Sequence, residues 1–286
     1  MTDTLRVRRS ESTESARLFR NLHQGPEPLV LANCWDAGSA RLIESLGAKA
    51  LATTSAGVAW AQGFPDGDRL PIERLLATVE AIGRVTRLPL SVDVEGGYAE
   101  EPTRAAQNVA ALARAGAVGI NLEDGAAPPE LLVAKIQEIK RSVAQLGYDV
   151  FVNARTDVYL RALVPPEAQL RETLRRVRLY AEAGADGVFV PKVLVPGDIA
   201  AIVAAVELPL NVLAYPALPP LADLKALGVR RLSAGSAITT AMWGRVASLS
   251  KAFLANGEHA ALVGESLPYP ELNRLMTPLD PAGDRG

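Results

Sequence analysis

From residue 29 onward the chain alternates two kinds of stretch. Short, β-rich apolar runs, LVLANCW (29–35), ALATTS (50–55), LPLSVDVE (88–95), VGINLED (118–124), VFVNART (150–156), GVFVPK (187–192), LPLNVLA (208–214) and RLSAG (231–235), are separated by longer amphipathic stretches rich in Ala, Leu and Arg. That alternation is the mark of a parallel sheet built from βα units. Eight strands, each followed by a helical stretch, predict a closed (β/α)8 TIM barrel in place of an open doubly wound sheet. Pro71 and Pro102 open two helices, and the phrases ESLGAKA, ARAGAVG, AEAGADG and KALGVRR put a glycine where each helix must stop.

Around the barrel the pattern predicts a polar lead-in through about residue 27, a helix over about 236–256, and a surplus C-terminal helix around 258–275. Residues 1–275 read as a single catalytic domain and 276–286, rich in Pro and Gly, as a flexible tail.

Side chains alternate faces along a strand. In LPLSVDVE, Leu90, Val92 and Val94 therefore share the face that meets the helices, while Ser91, Asp93 and Glu95 point into the barrel. On the next strand Val118, Ile120 and Leu122 are predicted outward and Gly119, Asn121 and Glu123 inward. On the one after, Phe151, Asn153, Arg155 and Asp157 face in. Three neighbouring strands thus deliver Asp93, Glu95, Glu123 and Arg155 to the C-terminal mouth, where barrel enzymes keep their chemistry. Carboxylates this close repel and take up protons unless positive charge is supplied, and one arginine is too little. A hard divalent cation, Mg2+ or Mn2+, answers the need, with Asp93, Glu95 and Glu123 holding it directly or through its waters.

Composition narrows the chemistry. With one cysteine, Cys34, and two histidines, His23 and His259, the 286-residue chain has no internal disulfide and no Cys/His zinc site, so a metal must be held by oxygen. Thirty basic residues stand against 32 acidic ones, scattered without a basic stripe, which argues against nucleic acid and anionic membranes as partners. No hydrophobic signal core follows the N-terminus and no apolar run is long enough to span a bilayer, which predicts a cytoplasmic protein.

At NCWDAGSARLIESLG, LATTSAGVAWAQGFPDGD, LSVDVEGGY, AVGINLEDG and NARTDVYL the chain resembles the isocitrate lyase/phosphoenolpyruvate mutase superfamily over roughly residues 29–235. The resemblance implies a (β/α)8 barrel that often exchanges its last helix between subunits of a homodimer or tetramer. It implies Asp93 as principal Mg2+ ligand, with Glu95, Glu123 and Asp66 around it. Thr54, Ser55 and Ala56 correspond to the segment that holds a substrate carboxylate, and Arg155 to the arginine that reaches the substrate. The expected catalytic set is Arg155, Glu123 and Asp66. By the same resemblance the ligand is a small 2-oxo acid that chelates the metal, which stabilises the enolate left when the bond beyond C3 breaks.

The sequence departs from the superfamily's pattern in one place. The lid carrying Lys-[Lys/Arg]-Cys-Gly-His in the lyases, or Lys-Thr-Asn in the phosphonate branch, is replaced by EDGAAPPELLVAKI, where the one new acid, Glu130, is placed to open a helix. The expected activity is accordingly a Mg2+-dependent carbon–carbon lyase or decarboxylase. The alternatives are carbon–phosphorus chemistry on a phosphonopyruvate-like acid and a non-catalytic 2-oxo acid binding protein. Cys34 reads as a small buried hydrophobe. Lys192 and Asn211, on the sixth and seventh strands, are placed either to touch substrate or to make ordinary strand-end contacts. Trp60, Phe64 and Trp243 are placed either to wall the pocket or to pack, with packing the first reading for isolated aromatics, and Asp157 and Tyr159 read as groups that orient Arg155.

Overall fold

The computed structural model describes residues 2–264 and 266–277. Helix α1 (Thr2–Leu22) leads into β1 (Leu29–Leu31) and β2 (Asn33–Cys34), followed by α2 (Ala37–Ser45), β3 (Leu51–Thr53), α3 (Ser55–Ala61), α4 (Ile72–Val85) and β4 (Leu90–Asp93). The chain continues through α5 (Pro102–Arg114), β5 (Ala117–Glu123), α6 (Pro129–Gln145), β6 (Phe151–Arg155), α7 (Pro166–Glu182) and β7 (Gly187–Phe189). It ends with α8 (Pro196–Ala205), β8 (Leu210–Leu213), α9 (Leu221–Ala226), β9 (Arg231–Ser233), α10 (Ala237–Asn256), α11 (Ala260–Gly264) and α12 (Tyr269–Leu275).

Every strand pairing is parallel, in the order β1-β9-β8-β7-β6-β5-β4-β3-β2. Ala32 interrupts the first predicted strand, so β1 pairs with β9 and β2 with β3. The two halves are one stave, and through it the sheet closes into the predicted (β/α)8 barrel. The helix starts follow from local chemistry. Asp36 accepts from Ser39 N while the Ser39 hydroxyl accepts from Asp36 N, a reciprocal capping box for α2. Glu101 caps α5 ahead of Pro102, and prolines open α6, α7 and α8.

Strand parity sorts the core as predicted on the outer face, where Val92, Ile120, Leu122 and Val152 are buried against the helices. The inner floor differs in two respects. Residues read as a polar lead-in form α1, whose Ala16 and Phe19 join Leu29, Leu31, Ala50, Ala52, Val118 and Phe151 in a second apolar cluster that plugs the barrel. Phe19 meets Phe151 edge to face at 5.5 Å, and a Cβ on Gly119 would lie 2.7 Å from the Phe19 ring, so only glycine admits it. Val118, predicted outward, belongs to this floor because Leu90 pairs with Ala117 but Ser91 with Gly119. The bulge adds one residue and turns Val118 inward, and beyond it the predicted parity holds.

The surplus helix expected over 258–275 is instead α11 and α12, divided before Pro268. The expectation of a flexible tail over 276–286 lies, beyond Thr277, outside the described residues. Helix α10 buries only Thr239 and exposes Trp243, Val246, Phe253 and Leu254. No described helix is long and apolar enough to cross a membrane.

Candidate active site at the barrel mouth

The C-terminal ends of β4, β5 and β6 bring three of the predicted acids and the predicted arginine to one rim. Asp93 is buried; its backbone N–H donates to Thr53 Oγ1 (2.9 Å), and its Oδ2 accepts from Ser55 N (3.3 Å). Its Oδ1 is buried with no protein partner. Thr54, Ser55 and Ala56 are all buried at the start of α3, so the segment matched to carboxylate binding lies directly against Asp93.

Glu95 continues the same inward face with a left-handed backbone, φ 49°. Its two oxygens are taken: Oε1 accepts from the Tyr98 hydroxyl at 2.9 Å, and Oε2 accepts from Asp68 N. Asp68 Oδ1 in turn accepts from Tyr98 N at 3.1 Å. Asp68 and Tyr98 are also left-handed, at φ 55° and 54°, so three mutually bonded non-glycine residues share an uncommon backbone region. Each costs about 1 kcal/mol or more, which concentrates strain at this rim. The intervening turn needs Gly97 (φ 95°), whose carbonyl accepts from Asn108 Nδ2, while Gly96 O accepts from Lys135 Nζ at 2.6 Å.

Glu123 is paired with Arg155 Nη1 at 2.6 Å and lies 3.9 Å from Arg161 Nη2. Asp157, fully buried, accepts from Arg155 Nε (2.7 Å) and Nη2 (3.1 Å) and from Arg161 Nε (2.8 Å). Asp157 N donates to Asp124 Oδ1, and Asp124 Oδ2 receives Arg176 Nη1 (2.8 Å) and the Tyr180 hydroxyl (2.6 Å). The reading of Asp157 as a group that orients Arg155 agrees with these bonds. Tyr159 does not share that role, since its hydroxyl donates to Asp198.

Burial dominates the electrostatics. It pushes Glu95 up to about 7, opposed first by the hydrogen bond from Asp68 N. It raises Glu123 and Asp93 as well, against the opposing charge of Arg155. Three carboxyl groups are thus held above their ordinary range, chiefly because burial disfavours their charged forms.

Beneath the rim lies a polar belt. Arg231, fully buried, donates from Nε to Ser233 Oγ and from Nη2 to Asn121 Oδ1, each at 3.2 Å. Asn153 Nδ2 donates to the same Asn121 oxygen, and Ser233 Oγ donates to Asn211 Oδ1 at 3.1 Å. Burial pushes Arg231 down to about 9, a change opposed by the charge of Asp93.

The structure does not gather Asp93, Glu95 and Glu123 as three direct ligands, and among the described residues no group of three such side chains is arranged to hold a metal. Glu95 and Glu123 are occupied by donors from the protein, and Asp66 is exposed on the loop after α3. The unclaimed Asp93 Oδ1 suits the expected cation, because Mg2+ accepts few direct carboxylates and keeps several waters. Lys192, also left-handed, lies with Nζ 5.7 Å from the Tyr215 ring centroid. Trp60, Phe64 and Trp243 do more than pack: with Gly63, Pro65 and Thr240 they line a cavity of about 620 Å3, to which none of the rim carboxylates contributes.

Cys34 faces away from this site. It packs in the outer core, its thiol donates to Ala52 O at 3.4 Å, and burial pushes its pKa up to about 12. It is a poor thiolate. Cys34→Ala should leave ligand affinity within about twofold of wild type by calorimetry; loss of binding would place the thiol in the site. Residues 124–128 form the whole connection between β5 and α6, and Glu130, 70% exposed, sits in the first turn of α6.

Residues of this arrangement that escaped the sequence reading include Asp68, Tyr98, Asp124, Arg161, Arg176, Tyr180, Arg231 and Ser233. Arg231 alone carried a signal, since parity with Ser233 puts a charge inside the barrel.

The profile of the family described as phosphoenolpyruvate phosphomutase matches residues 19–254. An uncharacterized protein of Mycobacterium tuberculosis is 39% identical over 90% of this chain and 95% of its own length. An oxaloacetate decarboxylase of Ectopseudomonas mendocina is 28% identical, covering 81% of each chain. Among solved structures, a Burkholderia cenocepacia J2315 protein provisionally described as a phosphonomutase is 42% identical, with a TM-score of 0.78 over 83% of this chain and 99% of that one. A phosphonopyruvate hydrolase in complex with oxalate and Mg2+ shares the fold, with a TM-score of 0.79 at 22% identity, covering 91% of this chain and 94% of that one.

Proposed function

The chain belongs to the phosphoenolpyruvate phosphomutase family, and from that membership we propose that it is a Mg2+-dependent carbon–carbon lyase or decarboxylase acting on a small 2-oxo dicarboxylic acid. The observation that carries the reading is the pairing of a buried, unclaimed Asp93 oxygen with a short connection at 124–128 whose one acid, Asp124, is buried and engaged by Asp157 N, Arg176 and Tyr180. Decarboxylation of an oxaloacetate-like acid needs no group to remove a hydroxyl proton, whereas cleavage of a 2-hydroxy acid does. The relative that decarboxylates oxaloacetate and the structural neighbour that holds oxalate and Mg2+ support this choice.

In this reading Asp93 would hold the ion directly, and Glu95 and Glu123 would act on it through water. When bound, Mg2+ supplies positive charge to the carboxylate and keto oxygens of the acid. The residues of the chain do the rest. The near carboxylate is received beside Asp93 by the Ala56 N–H and the Thr54 and Ser55 hydroxyls, since Thr54 N and Ser55 N already donate to Cys34 O and to Asp93 Oδ2. Tyr98 keeps its hydroxyl proton, because burial and Glu95 push its pKa up, and so holds Glu95 in place. Arg155 is pinned by Asp157 and Glu123 through three of its five N–H groups, leaving one on each terminal nitrogen for the distal carboxylate.

Arg155→Lys removes the planar fork while keeping the charge. It should weaken binding of oxaloacetate or 2-oxoglutarate by roughly tenfold or more and that of pyruvate by about twofold, read by calorimetry with Mg2+. Equal weakening would make Arg155 structural. The function itself is tested by a steady-state assay: pyruvate should form from oxaloacetate faster than the Mg2+-only background. Efficient cleavage of methylisocitrate would overturn the reading. The 42% identical phosphonomutase-like structure makes carbon–phosphorus chemistry the second reading, and turnover of phosphonopyruvate would select it. Binding without turnover on any of these acids would indicate a 2-oxo acid sensor. The exposed apolar face of α10 supports a homo-oligomer assembled through that helix.

A further inference from the structure

We propose that Arg231 and Ser233 are positioning residues that fix the Asn211 carboxamide with its NH2 edge turned to the ligand. The inference rests on the 2-oxo acid reading for the identity of that ligand and on the hydrogen-bond polarity of the belt for everything else.

Arginine has no acceptor. Ser233 Oγ, receiving Arg231 Nε, must therefore send its single hydrogen elsewhere, and the neighbour within reach is Asn211 Oδ1 at 3.1 Å. An amide that gives its oxygen to Ser233 has only its nitrogen for the other side. Asn211 Nδ2 is accordingly buried with no protein partner. Asn211 is tied to the rim through the sheet, since Glu123, Arg155, Phe189, Asn211 and Arg231 are successive register partners from β5 to β9. Arg231 is anchored from the other side by Asn121, the strand partner of Asp93. A cation at the belt thus dictates, two bonds away, that Asn211 offers a donor. The ligand atom it meets is an acceptor, a carboxylate or keto oxygen, and a hydroxyl would bind there only through its lone pair.

The test is a double-mutant cycle on oxalate affinity of the Mg2+-loaded full chain, with a ligand-free readout beside it. Ser233→Ala leaves Arg231 charged but frees the amide, and should lower oxalate affinity about tenfold. Asn211→Ala should lower it at least as much, and the double variant no further than Asn211→Ala alone. Mg2+ affinity without oxalate should change less than twofold in Ser233→Ala, which a general loss of structure would not allow. In the ligand-free protein the Asn211 side-chain NH2 resonances, assigned by their loss in Asn211→Ala, should shift in Ser233→Ala and in Arg231→Met. Additive losses, or unchanged NH2 resonances in Ser233→Ala, would overturn the relay. Failure of the wild-type protein to bind oxalate would instead defeat the 2-oxo acid reading, and the resonances would then decide the relay alone.

Discussion

Asp93→Ala is expected to abolish Mg2+ binding and, with it, the binding of oxalate, each by at least about a hundredfold. Among the described residues, Asp93 Oδ1 is the buried carboxylate oxygen at the rim left without a protein donor, while Glu95 and Glu123 are engaged. Calorimetric titration with Mg2+ measures it, and an unchanged affinity would sink the assignment. Loss of the site can be told from loss of the fold. Burial raises the Asp93 pKa, so the folded state holds this proton more tightly than the unfolded chain. The stability it contributes is present at low pH and lost as pH rises through the folded value. Near neutral pH its removal should leave Tm unchanged or higher, the usual exchange between stability and function at an active site.

The second large effect is structural. Asp124→Ala should destabilise the fold by about 3–5 kcal/mol, the cost of removing one partner from a buried charge pair, and lower Tm by on the order of 10 °C. The side chain is fully buried and receives Arg176, Tyr180 and the N–H of Asp157. Its loss leaves the Tyr180 hydroxyl and one arm of Arg176 without an acceptor and loosens Asp157, on which Arg155 and Arg161 both depend. Urea denaturation reads it. A loss under about 1 kcal/mol would show that Glu172, which also pairs with Arg176, is enough by itself.

What could be read in the chain was whatever obeys a period. Eight staves were visible because β-branched runs recur between helical ones, and Asp93, Glu95, Glu123 and Arg155 were visible because parity sends them inward together. The misses share a cause, which is that they depend on contacts distant in sequence. Helix α1 is polar along most of its length, and among its described side chains Ala16, Phe19 and Leu22 tell of the floor it closes. Val118 defeats parity because a bulge is a mismatch between two strands and cannot be read from one. Asp68 and Tyr98 meet Glu95 through left-handed backbones that neither residue type advertises. Arg231 could have been found, since a charge at an inward strand position asks for an explanation.

The stave divided at Ala32 has a consequence for how the protein is made. Leu29 bonds into the sheet beside Arg231, the first strand against the last. During synthesis β2 can take up its place beside β3 early, but β1 has no neighbour until β9 has left the ribosome. For most of translation the growing sheet therefore carries two open edges, the kind of surface that captures other chains. The joint also raises the contact order, which slows the final step. A chain that terminates before residue 231 should be sticky as well as incomplete, and full-length chains should depend most on chaperones in the interval before the ring shuts.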